Sequence, residues 1–151
     1  MRNKTYYKRT LRPLYHSSST LTPMAELVEP DDRIIVPGMV ATKLDNGNVT
    51  LASLGDKPYG LFCNYVNGEL DELGGMTDVG IWRSNGVFEV LSHDQAQPFA
   101  GIFIENYPVF WNDVGQLWCD WDRVPWYPEQ PSIGHVVSAS TRSIYIDVSF
   151  P

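Results

Sequence analysis

Apolar residues along this chain fall in short runs and in alternation, and nowhere at a sustained helical spacing of three and four. The clearest case lies near the C-terminus. GHVVSAS (134–140) and SIYIDVSF (143–150) are joined at Thr141-Arg142, and Ile144, Ile146, Val148 and Phe150 fall on one face of the second run. Successive strand side chains point to opposite faces, so a two-residue period with one apolar side predicts a half-buried strand, and the pair predicts a hairpin.

The same reading gives a strand at RIIV (33–36), a PG turn, a strand at MVATKL (39–44), and a DNGN turn into VTLAS (49–53). Asn46-Gly47 is the strongest hairpin signal, because a tight two-residue turn needs backbone that Asn and Gly adopt cheaply. Further strands are expected at YGLFCNYV (59–66), VGIWRS (79–84) and VFEVLS (87–92). The Gly- and acid-rich stretch between the first two offers one helical turn at Glu69–Leu73. Between Ser92 and Ser132, GIFIEN, VFWN and QLWCDW alternate with proline-rich connections. About eight or nine short strands without an amphipathic helix of more than two turns predict a mainly β fold, a small antiparallel barrel or sandwich.

Residues 1–32 follow neither period. Pro13, Pro23, Pro30 and the run HSSST (16–20) punctuate them. They read as an extended N-terminal arm in front of a β-barrel domain at 33–151, and about thirty such residues reach up to roughly 100 Å. Tyr6, Tyr7, Leu11, Leu14, Tyr15, Leu21, Met24, Leu27 and Val28 give the arm more apolar surface than a solvated linker carries. It is expected either to dock on a partner or to pack on its own domain. The first alternative predicts that a chain lacking residues 1–28 keeps its barrel and loses its partner.

At 151 residues, with 43% hydrophobic and 13% aromatic positions, the chain suffices for one packed domain without metal or disulfide. No apolar run is long enough for a membrane helix and no apolar h-region follows the basic N-terminus, so a soluble, non-secreted protein is expected. Charge sharpens the division of the chain. Arg2, Lys4, Lys8, Arg9 and Arg12 are five of the 11 basic residues and lie in the first 12 positions with no acid among them; the remainder carries six basic against all 18 acidic groups, a net −12. Such a body repels nucleic acid, so only the arm could bind it, and an acidic protein surface is an equally good partner for the arm. Arg2, Tyr6, Tyr7, Arg9, Leu11, Leu14 and Tyr15 are therefore the candidate partner contacts.

Candidate chemistry is sparse. His16, His93 and His135 are far apart, no Ser sits in a GxSxG elbow, and His93-Asp94 would point to opposite faces of a strand. Asp120 and Asp122 share a face but lack a supporting base or metal, so a hydrolase is disfavoured and these read as surface acids. No catalytic residue, metal or cofactor is expected. Cys63 and Cys119 have no metal-ligand spacing; they are free thiols or a bridge, which only their separation decides. Four of the five tryptophans fall among Trp111, Trp118, Trp121 and Trp126, beside Phe110 and Tyr127. These aromatics either fill the core or, at Trp118, Trp121 and Trp126, form a second interface or a glycan platform, which makes a carbohydrate-binding module the alternative function.

The order of VPGMVATKLDNGNVTLAS, DKPYGLFCNYV, SNGVFEV and SIGHVVSASTRSIYIDVSF resembles the capsid decoration, or cement, proteins of tailed bacteriophages, over most of residues 34–150. The resemblance implies a non-enzymatic virion structural protein with a small barrel of the SH3-like or β-tulip type. Such a protein is made in the host cytoplasm and sits on the capsid exterior. It binds junctions of the major capsid protein beside neighbouring copies of itself, as dimer or trimer, with the arm as inter-subunit clamp and with no nucleic acid or membrane partner. The insert between Ser92 and Ser132 departs from the shortest members of that family.

Overall fold

The computed structural model describes residues 11–16, 24–28, 33–67, 77–83, 85–92, 97–119, 132–140 and 142–150. They hold fourteen strands: β1 (Leu11–His16), β2 (Met24–Val28), β3 (Ile34–Ile35), β4 (Val40–Lys43), β5 (Val49–Leu51), β6 (Gly60–Phe62), β7 (Val66–Asn67), β8 (Thr77–Trp82), β9 (Gly86–Leu91), β10 (Phe99–Ala100), β11 (Pro108–Trp111), β12 (Leu117–Trp118), β13 (Gly134–Ala139) and β14 (Ser143–Val148). The fold is all β. Five strands close a barrel in the order β2-β5-β4-β6-β8, seven form a sheet ordered β1-β9-β14-β13-β11-β12-β10, and β3 pairs with β7. Most pairings are antiparallel; β2 with β5 and β10 with β12 are parallel.

The barrel strands are apolar on both faces, and alternation sorts their side chains into two cores. Ala41, Leu51, Phe62 and Ile81 pack inside the barrel with Ile35, Val36 and Met39. Their chain neighbours Val40, Ala52, Leu61 and Trp82 face the other way, against Phe88, Val109, Trp111, Leu117, Ile144 and Ile146 of the seven-stranded sheet. Consequently β6 is buried at every position and β4 at three of four. Each fully buried large apolar side chain contributes about 1.5–3 kcal/mol, so the barrel wall stabilises two interfaces at once.

A hairpin turn fixes the sheet to the barrel. Asn112 Oδ1 accepts the N–H groups of Val114 (3.1 Å) and Gln116 (3.0 Å), and Gly115 takes a φ of +77°. The turn then approaches β4 so closely that Val40 N donates to Gly115 O at 2.8 Å, and a Cβ on Gly115 would lie 2.9 Å from Leu51 Cδ2. Trp111 Nε1 donates to Ser53 O at 2.8 Å across the same joint.

The terminal hairpin stands as its alternation predicts, with Ile144, Ile146, Val148 and Phe150 all buried. Gly47 supplies the φ of +89° that the Asn46-Gly47 turn requires. Three expectations change. YGLFCNYV divides into β6 and β7, because Asn64 Oδ1 takes the Gly80 N–H at 2.6 Å and the chain leaves the barrel to pair with β3. GIFIEN is a loop and not a strand: Gly101 (φ +82°) and Asn106 (φ 71°) are left-handed, and Tyr107 N donates to Ile104 O in a turn. Within 1–32 the chain is extended where described, and both stretches belong to the sheets: β1 pairs with β9, β2 with β8, and Leu11 and Val28 are buried. Removing residues 1–28 therefore takes a strand from each sheet and opens the barrel. The helical turn expected at Glu69–Leu73 lies outside the described residues.

Gly134 lies on β13 where a Cβ would collide with the Asp147 carbonyl and sit 2.9 Å from Val148 Cα, backbone atoms that cannot rotate away. Gly134→Ala is expected to cost about 3 kcal/mol, a fall in Tm of roughly 10 °C by calorimetry. Gly47 has nothing within 4 Å of such a Cβ, so Gly47→Ala should cost only about 1 kcal/mol, from its φ alone. Equal losses in the two variants would contradict this packing.

Candidate functional site

The sequence-predicted contacts are distributed unevenly. Arg2, Tyr6, Tyr7 and Arg9 lie outside the described residues, as do Trp121, Trp126, Asp120, Asp122, His93 and Asp94. Leu11 belongs to the core shared by sheet and barrel, which removes it from the set of partner contacts. Leu14 and Tyr15 lie on β1, whose register with β9 shifts between Pro13 and Tyr15. β1 is one edge of the seven-stranded sheet and β10 the other. The basic N-terminal positions thus lead directly into an edge strand, the kind of backbone that a partner strand can extend.

Of the aromatic group, Trp111 is buried. Trp118 is half-buried, and its six-membered ring lies against Gly101, where a Cβ would stand 3.4 Å from Cζ3. Neither Cys63 nor Cys119 is in a disulfide; Cys119 is buried in the sheet–barrel core and Cys63 packs against it. Among the described residues no group of three or more His, Cys, Asp or Glu is placed to hold a metal ion.

The described surface instead presents an apolar group that strand periodicity did not single out. Ile102 is 72% exposed, Ile104 40% and Val137 42%. The loop after β10 turns Phe103 inward, edge-on to Phe99 at 5.7 Å, and leaves the isoleucines on either side of it facing outward. Asn106 N donates to Val136 O at 2.8 Å, which seats this loop beside the β13 irregularity that exposes Val137. The signal was present in the sequence as the alternation Ile102-Phe103-Ile104, but it read only as a short strand.

On the face of the sheet turned away from the shared core, Glu89 is nearly buried and accepts a 2.8 Å hydrogen bond from Tyr145 Oη. The strand register sets Arg12 of β1 on one side of Glu89 and Tyr145 on the other. Tyr145→Phe is expected to lower stability by about 1–2 kcal/mol in urea unfolding, since it withdraws a donor from a buried carboxylate. A loss below about 0.3 kcal/mol would mean the bond contributes nothing.

No family model, no curated protein and no solved structure matches this chain.

Proposed function

We propose that the chain is a non-enzymatic virion structural protein that binds the outside of a tailed-phage capsid and cements neighbouring major capsid protein subunits. The observation that carries the reading is the exposure of Ile102 and Ile104 on the loop after β10 and of Val137 at the β13 irregularity. Large aliphatic side chains held in solvent gain nothing for the isolated chain, and a protein partner can bury them. The basic N-terminal segment leading into edge strand β1 supplies a second, electrostatic contact suited to an acidic shell. The order of strand motifs resembling the decoration proteins selects the capsid among protein partners.

The test is co-sedimentation with undecorated heads of the encoding phage at low and high salt. Three proteins are compared: the parent, a chain lacking residues 1–10, and Ile102→Asp/Ile104→Asp. Deletion stops at residue 10 because β1 begins at Leu11. Both variants should keep the parental Tm. The aspartate pair is expected to weaken binding about a hundredfold, and the deletion to remove most of its salt dependence. Failure of the parent to sediment with the heads would overturn the reading.

A further inference from the structure

We propose that the face of the seven-stranded sheet turned away from the barrel is a binding platform for an extended, uncharged glycan chain, built on Phe110, Trp118, His135 and Asp147. Alternation separates the two faces of the sheet. Val109 and Trp111 of β11, Leu117 of β12, Val136 of β13 and Ile146 and Val148 of β14 pack into the core shared with the barrel. Pro108, Phe110, Trp118, His135 and Asp147 therefore point the other way. The register joins them, because Phe110 is paired directly with Trp118, Pro108 with His135, and His135 with Asp147. Directly opposed side chains stand about 5 Å apart, so one connected row crosses four strands. From β12 through β11 and β13 to β14 it covers three inter-strand spacings, about 14 Å, which suits several linked sugar rings better than one.

The residue types divide the work of holding a sugar. Phe110 and Trp118 are half-buried, each keeping part of its ring in solvent, and Pro108 and His135 are exposed. The six-membered ring of Trp118 lies against Gly101, whose missing side chain leaves room for it. A ring braced by backbone is a stiff apolar surface, and the C–H face of a pyranose is flat enough to stack on it. The sugar hydroxyls then need hydrogen-bond partners at the rim of that surface. Among the described residues, no hydrogen bond or ion pair engages the side chains of His135 and Asp147 or the Trp118 indole N–H. The row thus offers a carboxylate acceptor, an imidazole and an indole donor. Tyr145 and Glu89, the next polar groups on this face, bond to each other.

Charge selects among glycans. Beyond position 12 the chain carries six basic against 18 acidic groups, and Asp147 stands within the row itself. Such a surface repels uronic or sulfated chains and tolerates uncharged ones. The inference is independent of capsid binding.

The test is titration of the ¹⁵N-labelled full chain with cellohexaose, maltohexaose, mannohexaose and galactohexaose to millimolar concentration, beside oligogalacturonate as an anionic chain, followed by amide and indole N–H shifts. At least one neutral chain is expected to give saturable shifts centred on Phe110, Trp118, His135 and Asp147, and oligogalacturonate to bind at least about fivefold more weakly. Trp118→Ala should abolish this binding and His135→Ala weaken it about fivefold, while Lys57→Gln, at an exposed barrel position, should change nothing. His135 is exposed, so its variant keeps the fold whatever Trp118→Ala does. Absence of saturable shifts with all four neutral chains, equal binding of the anionic chain, or equal effects of His135→Ala and Lys57→Gln would each overturn the proposal.

Discussion

The structure depends on a barrel wall that is apolar on both sides. A five-stranded barrel encloses little volume, and Ala41, Leu51, Phe62 and Ile81 occupy it with the help of the short β3–β7 pair. The outer side of the same strands, through Val40, Leu61 and Trp82, forms the floor on which the seven-stranded sheet packs. Neither sheet can lose this contact without exposing large apolar side chains, and the Gly115 turn, closing to a backbone hydrogen bond with Val40, sets the depth at which they meet. Two modest sheets thereby act as a single cooperative body.

The bracing of this body extends to polar groups as well. Its described polar groups serve structure: Asn112 organises a turn, Thr42 holds a loop, and Tyr145 satisfies Glu89. The features on which the proposed capsid contact rests sit at the periphery, on the loop carrying Ile102 and Ile104 and at edge strand β1. Adhesion through several small, separated surfaces gains strength from simultaneous engagement more than from any single contact.

How much of this the sequence revealed depended on whether the determining contact was local. The terminal hairpin and the Asn46-Gly47 turn were legible because two-residue periodicity and left-handed backbone are written within a few positions. β4 and β6 were harder, since burial on both faces erases alternation and leaves short apolar runs with no facing. That the arm could pack on its own domain was legible from its apolar residues, but β1 and β2 as strands of the two sheets were not. Their partners β9 and β8 lie more than fifty residues onward, and prolines and serines disguised them as an irregular arm. The same limit hid the meeting of Lys43, Tyr59 and Arg83, where both cations lie over the Tyr59 ring although they come from three separate stretches of the chain.

The sheet order also governs how the molecule comes into being. β14 lies between β9 and β13, paired with β9 from Ser143 to Val148 and with β13 from Ile144 to Val148 around the irregularity at Val137. A ribosome must therefore make residue 148 before the middle of the sheet exists. Until then β9 and β13 each present an unpaired backbone edge, while β1, made first, has only half a sheet to join. Contacts this distant in sequence fold slowly, and unpaired strand flanks invite association between nascent chains. Rapid synthesis of many copies in one cell would make capture of that last strand the step at which yield is won or lost.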